Sequence, residues 1–252
     1  MSALPLQLLA AGSLRGVWPL LMAAFETKTG LATQTAFGPA GLLRQRIEQG
    51  APCDLFASAN QNHAEALVMR GLALSATPLA VNRLCLTASA SAAARSQDWL
   101  TLLLDPDLRL ATSTPGSDPS GDYAWQLFER IERHRCGAAA YLQAKALRLV
   151  GGPDSPPVPA GEMAAYWLIM SGQADLFVGY ASYAPRLQSL PGIRVFPLPD
   201  DDNIRADYTV ALCHPNAQPL TEFLSSAEAR KILQNGGFEM PILNDIQSGL
   251  SC

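Results

Sequence analysis

The chain contains no run of about 18 apolar residues, so a membrane-spanning helix is not expected. It has no basic run either. Lys plus Arg number 18 against 22 Asp plus Glu, a net charge of −4, which argues against nucleic-acid binding and against attraction to anionic lipid. Cysteine is sparse: Cys53, Cys85, Cys136, Cys213 and Cys252 are odd in number, scattered, and form no Cys-x-x-Cys pair. Zinc and thioredoxin-like chemistry therefore have no support. These cysteines read as buried small hydrophobes plus a free terminal thiol at Cys252, with a single disulfide left open. His63, His134 and His214 are isolated, without ligand spacing, and read as surface or satisfied core histidines. A Gly-x-Ser-x-Gly elbow, a Walker A loop and a paired His/Cys cluster are all missing. The chain is thus expected not to be an enzyme, to need no cofactor and to bind no bare metal cation.

What is present describes a folded chain. Its 252 residues are 48% apolar and 16% charged, enough for two lobes with a core each. Residues 6–15 read Leu-Gln-Leu-Leu-Ala-Ala-Gly-Ser-Leu-Arg. A short apolar run ends in small residues at Ser13, and a helical period starts at once. Such a strand–turn–helix leaves backbone N–H donors unpaired at the helix start, where the dipole also favours a negative group.

Val17, Leu20, Leu21, Ala24 and Phe25 then mark one buried helical stripe. Strand 33–37, the turn 38–41, a helix to about Gln49, strand 54–57 and a helix capped by Asn60 follow. This β-α-β-α-β-α order predicts a parallel sheet with helices on its faces, and ligands at the carboxyl ends of the strands. Ser13 and the 38–41 turn both sit at such ends. A strand at 79–87 precedes a second α/β set. It comprises strand 108–112, a turn-rich loop 114–122, a helix with Ser120 as its expected N-cap, and a helix over about 138–149. The Pro/Gly-rich loop 151–159, a helix near 161–171 and strand 175–180 come next. Strands 195–197 and 208–213 and an amphipathic helix over about 220–233 close the chain. The four tryptophans, Trp18, Trp99, Trp125 and Trp167, read as packing residues.

Five blocks carry a family resemblance. Ala-Ala-Gly-Ser-Leu at 10–14, Phe-Gly-Pro-Ala-Gly at 37–41 and Ile-Glu-Gln-Gly-Ala-Pro-Cys-Asp-Leu-Phe-Ala-Ser-Ala at 47–59 are similar to the molybdate-binding proteins of ABC importers. So are Asp-Pro-Ser-Gly-Asp-Tyr-Ala at 118–124 and Gly-Gln-Ala-Asp-Leu-Phe-Val-Gly-Tyr at 172–180. The 47–59 block is the most specific, and the order and spacing hold over nearly the whole chain. The resemblance implies an α/β type II periplasmic-binding-protein fold. Each of its two lobes is a mostly parallel sheet flanked by helices, with crossover strands and the ligand in the cleft. Lobe 1 is expected over 1–81 with 214–252 returning to it, and lobe 2 over 82–213 including the crossovers.

The family holds a tetrahedral oxyanion, molybdate or tungstate, with neutral donors. Short charge-assisted bonds from hydroxyls and helix-start amides suit a dehydrated dianion. Carried over, Ser13 matches a hydroxyl donor, Ser120 a backbone N–H donor, Tyr180 a phenol donor near the hinge and Glu162 a further backbone N–H donor. Gly12, Arg15, Gly41 and Gly121 are accessory candidates. There are two departures. The family's Phe-Gly-Ser-Ser-Gly turn carries Ala40 here, which removes a hydroxyl worth roughly 1.5–3 kcal/mol toward a charged ligand. Glu162 brings a carboxylate near the anion unless its side chain turns away, a charge that Arg15 can offset. Asp118 and Asp122 resemble a carboxylate pair, but capping and first-turn charge explain both.

The resemblance implies a monomeric carrier that delivers its oxyanion to an importer permease, without binding nucleic acid or inserting in a membrane. A sensor of the same anion in the cytoplasm, or a binder of a different anion, are the alternatives. No charged n-region, apolar core or cleavage site is visible at the start. Met1-Ser2 standing directly before the first strand favours a mature N-terminus, hence the periplasm, with the cytoplasm as the alternative.

Overall fold

The computed structural model describes residues 4–242. Met1, Ser2 and the expected terminal thiol Cys252 lie outside them. The chain divides into two compact units. One runs to Asn82 and resumes at Ala206, and the other is Arg83–Arg205.

In the first unit, β1 (Leu6–Ala11) leads through a 3-10 turn over Gly12–Leu14 into α1 (Trp18–Thr29). Then come β2 (Thr33–Gly38), α2 (Ala40–Glu48), β3 (Leu55–Ser58), α3 (Gln61–Met69) and β4 (Ser75–Asn82). β1 pairs in parallel with β2 on one side and β3 on the other. The returning strand β10 (Ala206–Leu212) lies antiparallel between β3 and β4. α10 (Gln218–Leu224) and α11 (Ala227–Asn235) complete the unit. Its core is built on Leu8, Leu14, Trp18, Leu21, Phe25, Phe56 and Tyr208, all nearly or fully removed from solvent. Burying side chains of that size contributes roughly 1.5–3 kcal/mol each before the cost of ordering the chain.

The second unit repeats this plan. It contains β5 (Leu84–Ser89), α4 (Ala90–Ala93), α5 (Trp99–Leu104), β6 (Leu110–Ser113), α6 (Pro119–Ile131) and α7 (Ala138–Lys145). β7 (Leu147–Val150), α8 (Ala164–Met170), β8 (Leu176–Tyr180), α9 (Ala184–Gln188) and β9 (Ile193–Pro197) follow. β6 runs parallel between β7 and β8, while β5 is antiparallel between β8 and β9. Each sheet therefore has one antiparallel strand, and in each it is the strand on which the chain arrives from the other unit. Parallel neighbours put the loops after β1 and β2, and those after β6, β7 and β8, at carboxyl strand ends, where such sheets bind ligands.

Several sequence expectations change. The single strand at 79–87 is two strands, β4 and β5, parted at Arg83 and paired into different sheets. The two polar residues Asn82 and Arg83 are too short an interruption to mark such a break. The helix at 138–149 stops at Lys145, and Leu147–Val150 is β7, one of the two edge strands of the second sheet. The helix at 220–233 is α10 and α11, divided at Ser225 and Ser226, where the Ser226 hydroxyl caps α11 by accepting the Ala229 amide at 3.3 Å. Leu20, expected on the buried stripe of α1, is 61% exposed, and Trp18 and Met22 flank Leu21 on the core side instead. The strand expected at 208–213 in the second lobe is β10, Ala206–Leu212, and belongs to the first sheet because its hydrogen bonds run to β3 and β4.

Candidate functional site

In the first unit the site is anchored by Ser13. Its turn follows β1 directly, so the side chain stands at the carboxyl end of the strand that has parallel neighbours on both sides. The Tyr208 phenol donates to Ser13 Oγ at 2.7 Å. Tyr208 is fully buried on β10, its ring meets Phe238 edge-on at 5.3 Å, and Asn82 Nδ2 approaches its oxygen at 3.5 Å. With the phenol hydrogen directed at Ser13, the serine oxygen accepts on that side.

Beside it, Ala11 is in register with Gly38, so β2 ends level with β1. Pro39 precedes α2, and the first helical bond is made by the Leu43 amide to the Pro39 carbonyl at 3.0 Å. The amides of Ala40, Gly41 and Leu42 thus precede the helical ladder, as at any helix start. The Arg15 guanidinium lies 5.3 Å over the Phe37 ring, and its Nη1 is 2.9 Å from where a side chain on Gly12 would begin. A hydroxyl, three helix-start amides and an exposed guanidinium therefore belong to the ends of two adjacent strands. After β3, Ser58 turns inward instead, taking the Asn60 amide at 3.1 Å and meeting His63 Nδ1 at 3.2 Å. Burial and the nearby Arg44 charge lower the His63 pKa to about 4, so this imidazole is neutral at pH 7.

In the second unit Ser120 lies in the first turn of α6, Glu162 in the loop after β7 and Tyr180 at the end of β8. Asp118, not Ser120, caps α6. Its carboxylate accepts the Ser120 amide at 3.2 Å while Pro119 fills the first helical position. The Ser120 amide is thus already engaged, which corrects its expected role as a free backbone donor; what remains to it is the hydroxyl. Asp-Pro is itself a helix-start signature that the sequence offered. Burial pushes the Asp118 carboxyl up to about 6, although the Ser120 amide and the Ser113 hydroxyl oppose the shift. Burial also raises Asp122, whose carboxylate takes the Gly116 amide at 2.7 Å.

Gly121 has a packing role. A Cβ there would meet the Pro115 nitrogen and the Thr114 carbonyl carbon, each at 2.6 Å. Only glycine lets α6 approach the loop backbone that closely. The Glu162 amide donates to the Pro159 carbonyl at 3.0 Å and the residue is exposed, so its expected donor role is also corrected: a turn inside the proline-rich loop takes that N–H. Tyr180 is buried at the end of β8, its ring edge-on to Tyr123 at 6.5 Å. Sequence reasoning missed Tyr208 as the support of Ser13. No local pattern reports a contact between residues 195 positions apart in the chain.

Among the described residues no group of three His, Cys, Asp or Glu side chains is placed to hold a metal ion, and no helix is long and apolar enough to cross a membrane. The grouping of neutral donors and one cation suits an anion.

The sequence model of the bacterial extracellular solute-binding proteins matches residues 6–239. The chain belongs to that family. As a solute-binding protein it is 44% identical to the uncharacterized protein PM1146 of Pasteurella multocida over 92% of this chain and 98% of that one. It is 26% identical to the molybdate-binding protein ModA of Escherichia coli, over 91% of this chain and 86% of that one. Its fold is similar to the periplasmic molybdate-binding protein of Azotobacter vinelandii, with a TM-score of 0.72, 22% identity, and coverage of 94% of this chain and all of that one. That solved structure supports the same mixed α/β architecture.

Proposed function

We propose that this solute-binding protein carries a tetrahedral oxyanion, molybdate or tungstate, outside the cytoplasm and delivers it to the permease of an ABC importer without chemically altering it. The observation that carries the reading is the oriented Ser13 hydroxyl, held by Tyr208 at 2.7 Å at the carboxyl end of β1. The α2 amides and Arg15 lie at the neighbouring strand end. The relationship to ModA proteins at 26% identity supports molybdate as the ligand class.

In the binding step a dianion exchanges its water shell for fixed dipoles that need no reorganisation, each charge-assisted bond contributing roughly 1.5–3 kcal/mol. Ser13 and the Ala40, Gly41 and Leu42 amides supply the donors of the first unit. Because Ala40 lacks a hydroxyl, Arg15 supplies part of the compensating charge. Two of the titratable groups are taken up structurally: Asp118 serves as a cap, and His63 meets the Ser58 hydroxyl.

Calorimetric titration with molybdate, tungstate, sulfate and phosphate tests the reading. Tight binding of the two metal oxyanions, and much weaker binding of sulfate because its bonds are shorter, is expected. No heat with either metal oxyanion contradicts the ligand assignment and leaves the fold assignment standing.

A further inference from the structure

Two half-buried cysteines outside the anion site meet where β10 returns to the first sheet. Cys53 stands just before β3 and Cys213 just after β10. These strands are antiparallel with Leu55 opposite Leu212, so the next residues, Asp54 and Cys213, face one another, and Cys53 is one step further along. Just past the strand ends the two backbones stay hydrogen-bonded, with two residues opposite one as in a bulge. The Cys213 and His214 amides both donate to the Asp54 carbonyl at 3.0 Å. Cys53 adjoins Asp54, whose carbonyl takes the Cys213 amide, so the two cysteines stand on neighbouring backbones at the ends of paired strands. The thiols are in contact: Cys53 donates its S–H to the Cys213 sulfur, and Cys213 Sγ reaches the Ala211 carbonyl at 3.7 Å.

We propose that Cys53 and Cys213 form a disulfide-forming pair, oxidised by a disulfide-bearing thiol oxidant such as a protein oxidoreductase or oxidised glutathione. The Cys213 thiolate attacks one sulfur of the oxidant. The oxidant's S–S bond breaks, a mixed disulfide forms at Cys213 and the first oxidant thiolate leaves. Cys53 then loses its proton and attacks the Cys213 sulfur, releasing the second oxidant thiolate. Two protein thiols are oxidised to one disulfide, and the oxidant disulfide is reduced to two thiols.

The order of attack follows from the contact. The hydrogen bond from Cys53 holds Cys213 below the usual thiol range, while it and burial push Cys53 up. The other described cysteines do not compete. Cys85 is 2% exposed and pushed up to about 12 by burial, and Cys136 is exposed on the second unit. The bond closes a covalent loop around the whole second unit and fastens the returning strand β10 to β3. Such a cross-link restricts the unfolded chain and also suits an oxidising compartment.

The test uses the full-length protein, first reduced, then incubated natively with oxidised glutathione and mapped as peptides without reduction. The expected result is a linked pair of peptides carrying Cys53 and Cys213, with two fewer free thiols. A higher melting midpoint that dithiothreitol reverses, and that Cys53→Ser and Cys213→Ser each abolish, is expected with it. Survival of both thiols, separate glutathione adducts on them, or linkage of either to Cys136 or Cys252 overturns the proposal. The peptide map needs neither variant and no oxyanion, so its failure is distinct from a failure of the transport reading.

Discussion

Tyr208 Oη lies 2.7 Å from Ser13 Oγ, joining the strand on which the chain returns to the turn that opens the candidate site. The pair separates direct from supporting contributions. Ser13→Ala removes a ligand donor and should weaken oxyanion binding by roughly 1.5–3 kcal/mol, whereas Tyr208→Phe removes only its orientation, about 0.5–1.5 kcal/mol. Calorimetry on both variants checks the ranking. Equal affinities for Ser13→Ala and the wild-type protein would place the ligand elsewhere.

Ala40→Ser restores the hydroxyl that the family pattern carries in this turn. Ala40 is 1% exposed at the first position of α2, so the new oxygen lies beside the helix-start amides. Tighter molybdate binding, by about tenfold for a bond of 1.4 kcal/mol or so, is expected. A weaker complex would show that the turn is shaped for a different anion.

Arg15 has no described carboxylate partner and rests on Phe37. Arg15→Gln should lower affinity and flatten its dependence on ionic strength, because a mobile exposed charge acts through screened attraction. Titrations at two salt concentrations read this directly, and an unchanged salt slope removes Arg15 from the site.

Gly121→Ala drives a methyl group into backbone atoms at 2.6 Å. Overpacking against main chain should cost about 1–3 kcal/mol of stability, with the loss confined to the second unit. Amide exchange resolves the units. Equal destabilisation of the first unit contradicts the assignment of Gly121 to packing.

Two groups set opposite pH trends in stability. The folded chain keeps the Asp118 proton to about pH 6, whereas the unfolded chain loses it near 3.8. Across that window the native state binds more protons, so stability falls as pH rises, by about 3 kcal/mol in all. His63 behaves oppositely. Its folded value of about 4 lies below the ordinary 6.5, so the unfolded state takes up the proton first and stability falls as pH drops through that range. The two trends offset between pH 4 and 6. Asp118→Asn leaves the His63 loss unmasked, and denaturant unfolding at several pH values should show a steeper acid decline. An unaltered pH profile contradicts the placement of Asp118.

The sequence was most informative where local chemistry dictates structure. The apolar run to Ala11, the turn at Ser13 and the Pro39–Gly41 helix start follow from residue types over a few positions. The break at Arg83 was illegible, because one polar pair, Asn82-Arg83, between apolar stretches does not report a change of sheet. β7 was hidden because Leu147–Val150 is too short to show a strand period against the preceding helix. The acceptors of the Ser120 and Glu162 amides, Asp118 and the Pro159 carbonyl, depend on local geometry that motif spacing does not report. The Tyr208 support depends on the exchange of strands between the units.

The central claim is that Ser13 and the start of α2 hold the anion. Diffraction from crystals of the tungstate complex, recorded at the tungsten absorption edge, tests it most directly because the heavy atom reports its own position. The account predicts one tungsten site whose oxygens reach Ser13 Oγ and the Ala40 and Gly41 amides. A tungsten peak remote from these atoms, or none at saturating tungstate, contradicts it.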